Sequence, residues 1–248
     1  MRWYGLIYVL GFLLTYLFLR HARMRGALKK ISEDDLDWFM FWLLIGVVVG
    51  ARVFAIFFYY GSSFLADPLV LFRIWQGGLS FHGGLVGAFI ASFFFAQKHK
   101  LDFFSLADLM VIPASLALAL GRIANFINGE LFGTITSSSV GVNFGGEKSL
   151  DGSLVFRHPY QLYASAKNFV LFFLLLVWDR STTFKRRFPS GILTFFFLAS
   201  YSFFRFILDF LREEPDVFVG LSMGQLLSLA MFLASFVWLG YILKRRKK

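Results

Sequence analysis

Residues 103–133 read FFSLADLMVIPASLALALGRIANFINGELFG, an apolar run that ends in a permanent positive charge, carboxamides and a carboxylate. A helix needs about 20 predominantly apolar residues to cross a hydrocarbon core, and the run supplies them. Arginine at membrane depth costs about 2.5–3.5 kcal/mol on insertion scales, so Arg122 implies a partner or a task. Asn125 follows three residues later, on the same helix face. Guanidinium and carboxamide together suit an anionic group, and the commonest anion at that depth is a lipid phosphate.

The rest of the chain agrees with a membrane setting. Of its 248 residues 58% are hydrophobic and 20% aromatic, 35 of them Phe. In water such a surface would carry apolar patches beyond what monomers tolerate. Only helices and closed barrels satisfy the backbone in lipid, and the period-2 alternation of a barrel is absent. The sequence therefore predicts an all-α polytopic membrane protein of about seven transmembrane helices, near 3–19, 38–60, 79–96, 103–125, 160–178, 192–211 and 222–243. No internal repeat is evident. Residues 1–248 read as one integral-membrane domain, with a Ser- and Gly-rich extracytoplasmic cap at about 134–159.

Charge gives the orientation. Arg20, Arg23, Arg25, Lys29 and Lys30 follow the first span, and Lys98 and Lys100 the third. Arg180, Lys185, Arg186 and Arg187 follow the fifth, and Lys244, Arg245, Arg246, Lys247 and Lys248 end the chain. These sixteen of the 25 basic residues fall on one side of a seven-span arrangement. The positive-inside rule makes that side cytoplasmic, with the N-terminus outside and the C-terminus inside. The net charge of +10 therefore reflects topology, and nucleic acid is not an expected partner. The absence of cysteine excludes disulfides, thiolate metal sites and a cysteine nucleophile. No metal-ligand cluster and no cleavable signal peptide stand out.

Several polar residues gather towards the outer side. Arg205, Asp209 and Arg212 recur at i, i+4 and i+7 and stack along one face of the sixth span. They read either as a structural ion pair or as a phosphate-facing Arg205 oriented by Asp209. A second arginine, Arg122, favours the latter, because planar bidentate donors suit phosphate. His82 opens the third span among Gly77, Gly78, Gly83 and Gly84; it reads as a hydrogen-bonded structural residue or as a general base. The glycines permit a bend or the close approach of another helix. Arg52 reads as the partner of Asp108, by the pairing rule for buried charge. Tyr4, Tyr160 and Tyr163 read as interfacial anchors, Pro159 as a helix start and Ser222 as the cap of the last span.

On these residues the chain resembles the phosphatidylglycerol–prolipoprotein diacylglyceryl transferase family. Gly121–Gly133 is similar to the family signature almost position for position. Supporting stretches are Trp3-Tyr4-Gly5-Leu6, Ala66-Asp67-Pro68, the segment 77–84, Arg157-His158-Pro159 with Gln161-Leu162-Tyr163, and Ser222-Met223-Gly224-Gln225. The resemblance implies a bacterial inner-membrane enzyme whose site faces the periplasm or exterior and which needs no cofactor. It would move the diacylglyceryl group of phosphatidylglycerol to the lipobox cysteine of a preprolipoprotein and release glycerol phosphate. It implies phosphatidylglycerol binding at Arg122, with Arg205 as the second essential arginine. Asn125, Glu130 and Asp209 join them at the donor site, with His82 as base and Tyr4 as the N-terminal tyrosine. Three positions depart from the family pattern: only Met1 and Arg2 precede the Trp-Tyr-Gly stretch, Asp209 stands for a glutamate, and Ala164 for an acidic residue. The rival readings are a transporter of anionic lipid or solute built on the same arginines, and a scaffold in which they are only paired.

Overall fold

The structure, a computed structural model, describes residues 4–59, 64, 67–73, 78–183, 188–213 and 215–245, with backbone alone at 4, 58, 59, 70, 81, 216 and 245. Trp3, the Tyr4 side chain, Ala66, Gly77, Lys185, Arg186, Arg187 and the last three basic residues lie outside that description.

Among the described residues, seven α-helices occupy the seven expected spans. They are α1 (Tyr4–Met24), α2 (Glu33–Tyr59), α3 (Phe81–Lys98), α4 (Phe103–Ile127), α5 (Tyr160–Arg180), α6 (Ile192–Leu208) and α7 (Met223–Arg245). All but α3 are long and apolar enough to cross a membrane; α3 is an 18-residue helix outside that set. Large apolar side chains point outward, with Phe57 78% and Val237 70% exposed. Such a surface is stable against acyl chains, and the chain is a multi-pass membrane protein. A short hairpin, β1 (Asp216–Phe218) and β2 (Leu221–Ser222), leads into α7.

Residues form two compact units, 16–107 and 1–15 with 108–248. In the first, α2 and α3 are the principal pair. A Cβ on Gly46 would stand 2.8 Å from the Gly87 carbonyl oxygen, and one on Gly50 would stand 3.0 Å from the Gly87 Cα. Gly83 and Gly87 leave still less room, so the expected close helix approach is what these glycines provide. Ser80 caps α3, its Oγ accepting from the Gly83 amide. Arg52 is buried and donates to the carbonyls of Leu71, Arg73 and Gly78.

In the second unit, α5, α6 and α7 pack in sequence. Asp108 on α4 accepts from the Gly191 amide at 2.7 Å and from the Thr194 amide and hydroxyl at 2.8 and 2.6 Å. It therefore caps the start of α6, while the carbonyl partners of Arg52 lie in the first unit. Each buried charge takes backbone partners of its own unit, groups that also need partners. Ser222 caps α7 as expected. The Gln225 amide donates to Ser222 Oγ and the Ser222 amide to Gln225 Oε1, a reciprocal capping box.

Candidate functional site

The signature stretch folds as its residues dictate. Helix α4 ends at Ile127, and Gly129 adopts φ +66°, the left-handed conformation that glycine takes without strain. The Glu130 amide then donates back to the Asn125 carbonyl and the Gly129 amide to that of Phe126. This is a Schellman closure, which satisfies two orphan carbonyls of the helix end. The turn swings Glu130 under its own helix. Its Oε1 accepts from Asn128 at 2.9 Å and from buried Asn125 at 3.4 Å, and its carbonyl accepts from Gln161 Nε2 at 2.6 Å. Gly133 passes so close to the chain at His158 that a Cβ would lie 2.8 Å from the His158 Cβ. Its neighbours pair with both sides: the Gly133 amide donates to His158 and the Thr134 amide to Leu211.

Beside this turn stands Tyr160, first residue of α5 and only 2% exposed. Its hydroxyl donates to Asp209 Oδ1 in a short hydrogen bond. Arg205 donates from Nε to Asp209 Oδ2 at 3.3 Å and from Nη1 to the Tyr201 hydroxyl at 3.5 Å. The Arg122 guanidinium carbon lies 5.9 Å from the Tyr160 ring centroid, and that of Arg212 lies 5.6 Å from it. One α5 tyrosine thus gathers cations from α4, from α6 and from the segment after it around a single carboxylate. Arg122 forms no ion pair among the described residues. Cation–π contact with tyrosine leaves a guanidinium's in-plane donors directed elsewhere.

Arg122, Asn125, Glu130, Arg205 and Asp209 all belong to this one unit, and Arg205 meets Asp209 as its spacing predicted. His82 belongs to the other unit, where it is exposed in the first turn of α3. The Tyr4 side chain is among those not described. Two expectations are corrected. Tyr160 is not an interfacial anchor: it is buried, and it carries the hydrogen bond that fixes Asp209. Arg212 does not continue a helical stack, because α6 gives way to a 3-10 turn at Asp209–Leu211 and Arg212 is extended. It reaches Tyr160 through its bridge to Gly133.

Sequence reading passed over Tyr201 and found no specific use for Lys167. The Lys167 ammonium stands 3.7 Å from the Tyr201 ring centroid and donates to the Tyr201 carbonyl at 3.4 Å. An ionisable residue seven positions into an apolar span was the available signal. The cap above was legible only as a loop. In it Arg157 donates to both Glu147 oxygens at 2.7 and 2.8 Å, pairs closely with Glu213 and lies over the Phe132 ring. The Arg157 guanidinium holds the Glu147 carboxyl below the usual carboxylate range.

The chain is thus a multi-pass helical membrane protein with arginines gathered near a buried carboxylate, an arrangement suited to an anionic group. Comparison with known proteins identifies the family. Residues 1–241 match the family described as prolipoprotein diacylglyceryl transferase. A phosphatidylglycerol–prolipoprotein diacylglyceryl transferase of Geobacter sulfurreducens is 43% identical over 252 residues, 99% of this chain and 92% of that protein. Proteins of the same name from Vibrio cholerae and Neisseria meningitidis are 39% and 38% identical, over 98% and 95% of this chain and 88% and 89% of theirs. The chain belongs to the prolipoprotein diacylglyceryl transferase family.

Proposed function

We propose that this protein transfers the diacylglyceryl group of phosphatidylglycerol to the thiol of the lipobox cysteine of preprolipoproteins. Glycerol phosphate leaves. A bond forms between the cysteine sulfur and the terminal glycerol carbon of the diacylglyceryl group, and the bond from that carbon to the phosphate oxygen breaks. The thiol proton passes to a base, and the phosphate goes from one negative charge to two. No electrons are exchanged with an outside agent.

The observation that carries this reading is the convergence of Arg122 and Arg205 on the Tyr160–Asp209 pair in a chain of this family. Arg122 and Arg205 hold the donor phosphate, where charge stabilisation counts for more than it does in water. Asp209 and Tyr201 fix the Arg205 fork. Asn125 and Glu130, closed by the Gly129 turn, form the wall beside Arg122. The acceptor thiol has an ordinary pKa of about 8.5 and needs a proton acceptor; His82 takes that role, and Tyr4 contacts the headgroup. The enzyme is a single transferase domain with its cap at 134–159. It lies in the bacterial inner membrane with its N-terminus outside, its C-terminus cytoplasmic and its site towards the periplasmic face. The sixteen basic residues assigned to the opposite side support that orientation.

The test is reconstitution of the whole chain with phosphatidylglycerol and a lipobox peptide. Thioether-linked diacylglyceryl peptide and free glycerol phosphate are expected, and a peptide with Ser in place of Cys gives neither. Lipid movement without thioether product would overturn the reading in favour of transport.

A further inference from the structure

Lys167 has no role in the mechanism above, yet it is an ionisable side chain within the apolar helix α5. Tyr160 and Lys167 lie seven residues apart on α5, which places the lysine about 10 Å further along the helix axis. Tyr201, which its ammonium covers, precedes Arg205 by one turn on α6. Lys167 and Tyr201 therefore lie on the opposite side of Arg205, along the helices, from Tyr160, Asp209 and Arg212. Arg205 meets the same Tyr201, its Nη1 donating to the hydroxyl, and Arg122, Arg205 and Asp209 are near enough to act on Lys167 electrostatically. Among the described residues, four cations, Lys167, Arg122, Arg205 and Arg212, gather near two carboxylates, Asp209 and Glu130. Asp209 is also committed to Arg205 and Tyr160, so the group as it stands is short of negative charge.

A lysine on lipid-facing surface extends its ammonium to the headgroup layer. This one instead lies over the Tyr201 ring and donates to the Tyr201 carbonyl, one turn of α6 from Arg205. An arrangement that is repulsive when empty and neutralised when an anion enters marks a binding site. Resting on the reaction proposed above, we propose that Lys167 is the third cation of the donor site, its ammonium contacting the phosphate of the anionic donor lipid. When the carbon–oxygen bond of that phosphodiester breaks, the phosphate gains a second negative charge. A cation at this position then interacts more strongly with the departing glycerol phosphate than with the bound lipid, so it acts mainly on kcat.

The experiment uses the full chain with Lys167→Met and Lys167→Arg, each measured three ways. Binding of short-chain phosphatidylglycerol without peptide, and of the matching diacylglycerol as the uncharged control, reads the phosphate contact. Turnover with the lipobox peptide reads the charge developed in the reaction. Thermal midpoint with and without phosphatidylglycerol reads the cost of the empty cluster. Lys167→Met is expected to lower kcat about 10- to 100-fold, the range for loss of a hydrogen bond to a charged group. It should weaken phosphatidylglycerol binding severalfold, leave diacylglycerol binding unchanged, and raise the midpoint of the lipid-free protein because a repulsion is removed. Lys167→Arg, which keeps the charge, should recover most of the turnover. Wild-type kcat and phosphatidylglycerol binding in Lys167→Met would overturn the proposal. So would a lower lipid-free midpoint with equal loss in both variants, which is the pattern of a structural lysine. If the wild-type chain binds phosphatidylglycerol but forms no thioether, the transfer reaction fails, and the binding difference between lipids still decides the lysine contact.

Discussion

In the unit formed by residues 16–107, α2 meets α3 across Gly46, Gly50, Gly83 and Gly87; in the other unit, α4, α5 and α6 meet through Asp108, Ser165, Tyr160, Lys167 and Asp209. The first junction is made by removing side chains, so that backbones touch. The second is made by adding polar side chains, each of which must then find a partner. In lipid both arrangements work, since no hydrophobic force draws one apolar helix to another. They differ in what they leave available. A glycine seam is complete in itself. A polar junction with more cations than carboxylates can take an external anion, and the family's donor lipid carries one.

That contrast can be broken at four places. The largest effect is expected from Arg122→Ala, which should cut transfer by about 10²–10³-fold, the range for loss of one preorganised donor to a developing anion. Insertion and the thermal midpoint should persist, and near-normal turnover in the thioether assay would remove the phosphate clamp. Asp209→Asn comes next: it keeps a hydrogen-bond acceptor for Tyr160 but loses the charge that orients Arg205. A drop of about 10-fold or more in kcat is expected, at about 1.5–3 kcal/mol per charge-assisted bond. Turnover should recover in Asp209→Glu. On the other side of the comparison, Gly87→Val should lower the thermal midpoint in detergent, since forcing volume into a close-packed seam costs about 1–3 kcal/mol. An unchanged midpoint would show that the seam yields.

The smallest effect belongs to the cap. The Glu147 carboxyl is depressed below its ordinary value of 4.5 by Arg157. Its contribution to folding is therefore fully present above pH 4.5 and is lost as pH falls through the depressed folded value. The protection factors of the Val142 and Arg157 amides, which bond to each other's carbonyls, should fall on acidification below pH 4.5 and stay level between pH 6 and 8. Glu147→Gln should remove that acid dependence.

Much of the architecture was written plainly in the chain. Runs of 17 to 27 residues with charges at their ends announce helices, and each of α1 to α7 occupies one of them. Arg205 and Asp209 were legible because i, i+4 spacing acts within one helix. Ser222 and Gln225 were legible because a capping box is local. What failed depended on other helices. Arg52 and Asp108 looked like partners because they are opposite charges in apolar spans; the carbonyls and amides that each meets come from distant positions that no local spacing reveals. Tyr160 looked interfacial because a tyrosine after Pro159 ordinarily is. Its burial follows from the neighbours that α4 and the end of α6 bring to it, and no period in α5 records them. Lys167 reads from the sequence as a lysine that faces other helices or snorkels, and its place over Tyr201, 34 positions away, is not a local property.

Asp108 also sets a length. From Asp108 to Arg122 along α4 is fourteen residues, and from Gly191, which Asp108 holds, to Arg205 along α6 is again fourteen. Both stretches measure about 21 Å at 1.5 Å per residue. Arg122 and Arg205 thus stand the same number of residues beyond the carboxylate that joins their two helices. Slippage of one helix by a single turn would offset them by about 5.4 Å, more than the width of the phosphate they are proposed to share.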